Sequence, residues 1–326
     1  MSKEESDFWW QIKGIAILAV VAIHSCLNRD ITLKMIIGRQ FINFPVILFV
    51  FMSGYFVNGK KIQENPEKWV ISRLKKIIIP YIIWSGIYLL YAIYIKGITV
   101  NYKGIISSLI LGTSNVQMYY SIVLLQLILL TPVLVKYVKS HWVMVACLGG
   151  SFVFLLLKYL YELRHNISSI VFSLCGVWLF FYYYGIWMRT RGNRTNSAYL
   201  SKCVMVLVAF ALDICEAIVM YNTEYYHEFG ISQVRVSNFL LGICIIRILC
   251  DSRTQRLKKF SGLIWLGKKS FSIYLAHMLV LDTLYTIFPR VNYIATFFVV
   301  SLFTAFLIVI GEKSKKIWTN LVNGNG

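Results

Sequence analysis

Lys13 and His24 stand eleven residues apart at the two ends of an apolar stretch, IKGIAILAVVAIHSCL (12–27). In a helix that spacing returns to within about 20° of the same face and separates the two by roughly 16 Å. Hydrocarbon cannot solvate an imidazolium, and it leaves the polar nitrogens of a neutral ring unpaired. An intramembrane histidine therefore marks a functional site by default. Imidazole titrates near neutrality, so His24 suits removal of a hydroxyl proton, or brief covalent carriage of a transferred group. Each residue also has a structural reading. Lys13 would snorkel at the flank of a span. His24 would hydrogen-bond a neighbouring helix.

Other segments carry titratable groups at suggestive positions. RLKKIIIPYIIW (73–84) places Arg73, Lys75 and Lys76 at the start of an apolar run, with Pro80 expected in its first turns. These cations either anchor the span or dock an anionic ligand. SFSIYLAHMLVL (270–281) puts Tyr274 and His277 three residues apart on one helix face, where they orient a ligand or bridge two helices. Asp213 and Glu216 share a face inside another apolar run and need a partner, for which Arg235 or His227 is available. Asp282 has no evident partner. Ser53 and Gly54 permit a close helix contact. No HExxH, GxSxG, Walker loop or zinc-spaced cluster occurs, so metalloproteolysis, serine hydrolysis and phosphoryl transfer lack support, and no metal site is expected. The seven cysteines (26, 147, 175, 203, 215, 244 and 250) fall mostly in apolar runs and read as reduced structural thiols.

These residues must be positioned by membrane helices. Of 326 residues, 58% are hydrophobic and 14% charged, and the mean hydropathy is +0.66. A soluble domain carries about 25% charged residues. The expected fold is all-α and polytopic, a single domain (1–326). It has about ten spans at 9–27, 41–57, 77–95, 118–136, 142–160, 168–188, 203–221, 236–250, 270–288 and 293–311. A short interfacial helix is expected at 260–266. Aromatic clusters at the ends of apolar runs fit interfacial belts. No cleavable signal peptide is expected. The net charge of +19 does not indicate nucleic acid, because the basic residues sit between spans. With the N-terminus inside, 24 of the 33 Lys and Arg fall on the cytoplasmic side, which places both termini there and His24 toward the external end of span 1. A plasma membrane is the simplest location.

Four segments in order, WWQIKGIAILAVVAIHS (9–25), FPVILFVFMSGYFV (44–57), RLKKIIIPYIIW (73–84) and SFSIYLAHMLVL (270–281), resemble the acyltransferase-3 family of integral membrane acyltransferases. VWLFFYYYGIWMR (177–189) is similar to an aromatic span of that family. The resemblance implies transfer of an acyl group, usually acetyl, from cytoplasmic acyl-CoA to a hydroxyl of an extracytoplasmic or lipid-linked sugar or polysaccharide. It implies no bound cofactor, with acyl-CoA as co-substrate. His24 matches the family's span-1 histidine and is the expected catalytic residue. Lys13 stands where members usually have arginine, keeping the charge without the bidentate fork. Arg73 matches the basic residue before span 3, with Lys75 and Lys76 in support. Tyr119-Tyr120 corresponds to an aromatic pair early in span 4. Tyr274 and His277 would line the cavity or steady the acceptor. The alternatives are a transporter or flippase for a polysaccharide or lipid-linked intermediate, for which no inverted repeat is evident, and a non-catalytic sensor or scaffold.

Overall fold

The computed structural model describes residues 2–26, 31–162, 174–191, 198–223 and 228–322. Among them there is no strand, and nine helical stretches are long and apolar enough to cross a membrane. The chain is a polytopic all-α membrane protein. The span expected at 168–188 begins outside the described residues. Its described part is a 3₁₀ turn (Gly176–Trp178) and a 13-residue helix. Arg29, Arg164 and His227 also lie outside the described residues.

Helix α1 (Lys3–Ser25) starts where the Ser2 hydroxyl accepts the Glu5 amide, with Glu4 and Glu5 in the first turn to complement the helix dipole. A short α2 (Leu33–Gln40) leads to α3 (Pro45–Tyr55), which Pro45 opens at a position where its missing N–H costs nothing. After α4 (Gly59–Glu64), α5 runs from Pro66 to Tyr94, capped by Asn65. It starts a full three turns before the expected span, so Pro80 is interior to the helix rather than in its first turns. Residues 66–76 are helical because cap and Pro66 supply a start signal well ahead of the apolar run. Then follow α6 (Tyr102–Leu111), α7 (Tyr119–Lys136), α8 (His141–Glu162), α9 (Leu179–Arg191) and α10 (Tyr199–Tyr221). The last group is α11 (Val236–Leu249), α12 (Ser252–Gln255), α13 (Ser261–Lys268), α14 (Ser270–Ile287) and α15 (Tyr293–Val322). Exposed Phe298, Leu302 and Phe306 on α15, and Leu207 and Val208 on α10, give these helices faces suited to lipid.

Helix α1 is central, packing against α3, α13, α14 and α15. Its contact with α13 is backbone to backbone. A Cβ at Gly14 would overlap the Leu263 carbonyl, and one at Gly267 would overlap the Trp10 carbonyl. So α13 lies against the core rather than merely in the interface. Gly54 of α3 and Gly185 of α9 make a second such contact. At the far end of α1, the Tyr285 hydroxyl of α14 donates to the Ser25 carbonyl at 2.8 Å.

The intramembrane carboxylates are paired. Asp213 accepts from Arg235 Nη2 at 2.8 Å, and both are fully buried. Ser237, Glu216, Tyr159 and Gln40 complete that network. Asp282 is not an orphan, since Lys96 reaches one oxygen at 3.0 Å and Asn115 the other at 2.9 Å. Just beyond the end of α11, Asp251 accepts from Lys202, in the first turn of α10, at 2.5 Å.

Two outcomes follow from this packing. Gly267→Ala forces α13 off α1, an overpacking cost of roughly 1–3 kcal/mol, and lowers the melting midpoint of detergent-solubilised protein. Gly149→Ala, with open space around it, leaves the midpoint unchanged or raises it. Separately, the hydrogen bond from Lys202 holds the Asp251 carboxyl below the usual carboxylate range. A depressed carboxylate stabilises above its unfolded value, about 3.9, and loses that contribution as pH falls through the folded value. Asp251→Asn therefore lowers the midpoint at pH 7, and the gap from wild type closes below about pH 4.

Candidate active site

One face of α1 forms the wall of a cavity of about 720 Å³ that reaches from Lys13 to His24. The opposite walls come from α3 (Val46, Phe49, Ser53), α7 (Tyr119, Tyr120, Leu124) and the start of α14 (Ser270, Phe271, Tyr274). The loops 112–117 and 231–234 close around the His24 end. The expected register on α1 is thus realised as a continuous pocket. It is polar at both ends and mainly apolar between, the shape that suits a long chain with charged and reactive extremities.

At the first end, the Lys13 ammonium sits 4.9 Å from the Trp10 ring centroid and 5.1 Å from that of Phe56. Those rings are themselves stacked. Aromatic faces attract the cation and hold it without neutralising it. Arg73 stacks on Trp69 at 5.6 Å and lies near enough to interact electrostatically with Lys13 and Tyr182. Arg73, Lys75 and Lys76 are exposed on α5 and do not line the cavity.

At the second end, His24 lines the cavity while its Nδ1 is buried without a partner among the described residues. The His277 ring lies behind it, with centroids 5.2 Å apart. His277 is fully buried and is not part of the cavity wall. Its Nδ1 lies 3.1 Å from the Ile273 carbonyl and 2.9 Å from that of Tyr274. Carbonyls only accept, so Nδ1 carries the proton of the neutral ring and Nε2 is left as an acceptor. That Nε2 is also buried without a partner among the described residues. Two unpaired nitrogens thus lie on neighbouring rings. Tyr274 does line the cavity, its hydroxyl donating to the Gln117 carbonyl, and its ring is 5.6 Å from that of Tyr120.

Sequence reasoning missed two cavity cations, having assigned them to topology. Arg39 of α2 is 8% exposed and Lys158 of α8 is 2% exposed. Arg39 donates to the Ile23 carbonyl at 2.6 Å, one residue before His24. The available signal was the polar set Arg39, Gln40 and Asn43 inside an apolar segment, all three of which are buried. No Asp or Glu lines the cavity among the described residues, and no group of three or more His, Cys, Asp or Glu there is suited to a metal ion.

Access to the cavity is testable with thiol chemistry. In a background with the native cysteines replaced, Ser53→Cys reacts with a charged methanethiosulfonate, whereas Ser151→Cys, fully buried elsewhere, does not. Labelling of the Ser53→Cys variant as slow as that of Ser151→Cys, read by mass spectrometry, would mean that the cavity is closed to water.

Comparison with known proteins gives one result. A family model described as an acyltransferase domain matches residues 8–312. No curated protein and no solved structure matches the chain. The match covers α1 through most of α15, and so every wall of the cavity, and it displaces the transporter and scaffold readings. The chain is an enzyme and belongs to the acyltransferase-3 family of membrane acyltransferases.

Proposed function

We propose that the protein moves an acetyl group from cytoplasmic acyl-CoA to a hydroxyl of an extracytoplasmic or lipid-linked sugar or polysaccharide, in the plasma membrane. The observation that carries this reading is the single cavity joining Lys13 to His24. The bias of basic loops sets the Lys13 end toward the cytoplasm. Acyl-CoA arrives there, its phosphates attracted by Arg73, Lys75 and Lys76 on the rim and by Lys13 at the mouth. The apolar middle then accommodates the pantetheine arm, with Tyr119 and Tyr274 along its path. No bound cofactor is needed.

At the other end His24 acts as general base. The acceptor oxygen attacks the thioester carbonyl carbon as His24 takes its proton. The C–S bond breaks, and the proton passes to the departing thiolate, leaving an ester and free CoA. A neutral His24 that accepts a proton on Nε2 carries a hydrogen on Nδ1. The His277 ring packs beside that of His24, centroids 5.2 Å apart, and holds the His24 imidazole by contact rather than by a hydrogen bond.

General-base catalysis typically contributes 10²–10⁴-fold. In proteoliposomes with radiolabelled acetyl-CoA, His24→Ala at matched abundance loses at least 10²-fold in acceptor acetylation, while binding of acetyl-CoA persists. Arg73→Ala raises KM for acetyl-CoA with a smaller effect on kcat. Undiminished transfer by His24→Ala removes His24 from the mechanism.

A further inference from the structure

We infer that the acceptor is anionic, carrying a carboxylate or phosphate beside the hydroxyl that is acylated, and that Arg39 binds it. This inference rests on the acyl-transfer reading and adds the acceptor's chemical class.

The His24 end of the cavity is built around a guanidinium. Arg39 is more than nine-tenths buried and lines the cavity. Its Nη1 donates to the Ile23 carbonyl at 2.6 Å, and Nη2 points to the Ile231 carbonyl at 3.4 Å. These bonds fix the fork beside His24 without cancelling its charge. Its Nε is buried with no partner among the described residues, and no carboxylate there forms an ion pair with Arg39. Lys158 lines the same cavity.

The neighbouring arginine shows what the fold does when it neutralises a charge. Arg235 bonds Gln40, adjacent to Arg39, and pairs with Asp213 at 2.8 Å, with Glu216 at 4.0 Å. Asp282 is committed to Lys96. A buried charge without a counter-charge is strongly unfavourable, so a guanidinium left so beside a cavity calls for an anion from a ligand. On the proposed reading that anion is not the CoA phosphates, which dock at the Lys13 end, roughly 16 Å from His24 along α1. An acetyl thioester is itself neutral. The acceptor remains, and a planar fork suits a carboxylate or phosphate on it.

The test uses the full chain in proteoliposomes with labelled acetyl-CoA. The acceptor probe is surface glycan extracted from the producing cells and stripped of its O-esters with mild base. One portion stays native, one has its carboxyl groups reduced to alcohols, and one is dephosphorylated with cold hydrofluoric acid. Loss of acceptor activity by at least tenfold on carboxyl reduction identifies a carboxylate, and on dephosphorylation a phosphate. On native glycan Arg39→Gln raises the acceptor KM at least tenfold and Arg39→Lys raises it less, with acetyl-CoA binding unchanged. The inference is overturned if both treated glycans accept as well as the native one. It is also overturned if Arg39→Gln lowers kcat at an unchanged acceptor KM, which would place Arg39 at the thioester instead. Wild-type protein that binds no acetyl-CoA would defeat the acyl-transfer reading beneath it.

Discussion

Hydrocarbon offers no hydrogen-bond partner, so every polar group carried into the membrane must find one inside the protein or in a water-filled cavity. The arrangement of this chain follows from that constraint. Backbone groups are satisfied within helices. Asp213, Glu216 and Arg235 satisfy one another, and Asp282 is held by Lys96 and Asn115. Lys13, His24 and Arg39 have no carboxylate partner among the described residues, and all three border the cavity. The same physics that forces pairing elsewhere supports the proposal that this face of α1 is where the protein meets its substrates.

Holding that face in position requires close helix contact, because lipid supplies no hydrophobic drive between helices. Gly14 and Gly267 bring α1 and α13 to backbone contact beside Lys13, and Gly54 and Gly185 do the same for α3 and α9. Tyr285 ties the other end of α1 to α14. The wall bearing Lys13 and His24 is thus clamped at both ends. Its two polar ends stay about 16 Å apart, a separation that suits a thioester whose phosphates and acyl group lie at opposite ends of an extended arm.

The register of Lys13 and His24 was legible in the sequence because helical periodicity is local and needs no knowledge of the fold. Arg235 was recognisable as a partner for Asp213 and Glu216 because unpaired carboxylates in a span demand one. Tyr274 was found at the cavity, but its neighbour His277 turned out to stand behind His24, since a shared helix face does not say which of two residues meets the void. Arg39 and Lys158 were hidden because a cation near the end of a span is counted as a topology signal. Only packing distinguishes a snorkelling side chain from a buried one. The true start of α5 was masked by charge, because Asn65 and Pro66 begin a helix that precedes its apolar run. The contact of α13 with α1 depends on glycines distant in sequence.

The central claim is that a thioester entering beside Lys13 reaches His24 through one cavity. The most direct measurement is an electron cryomicroscopy structure of the protein in a lipid nanodisc with a non-hydrolysable thioether analogue of acetyl-CoA. The account predicts phosphate density near Lys13 and Arg73, and an acyl end within about 4 Å of the His24 ring, close to reacting distance. An analogue lodged outside the cavity, or with its acyl end remote from His24, would contradict it.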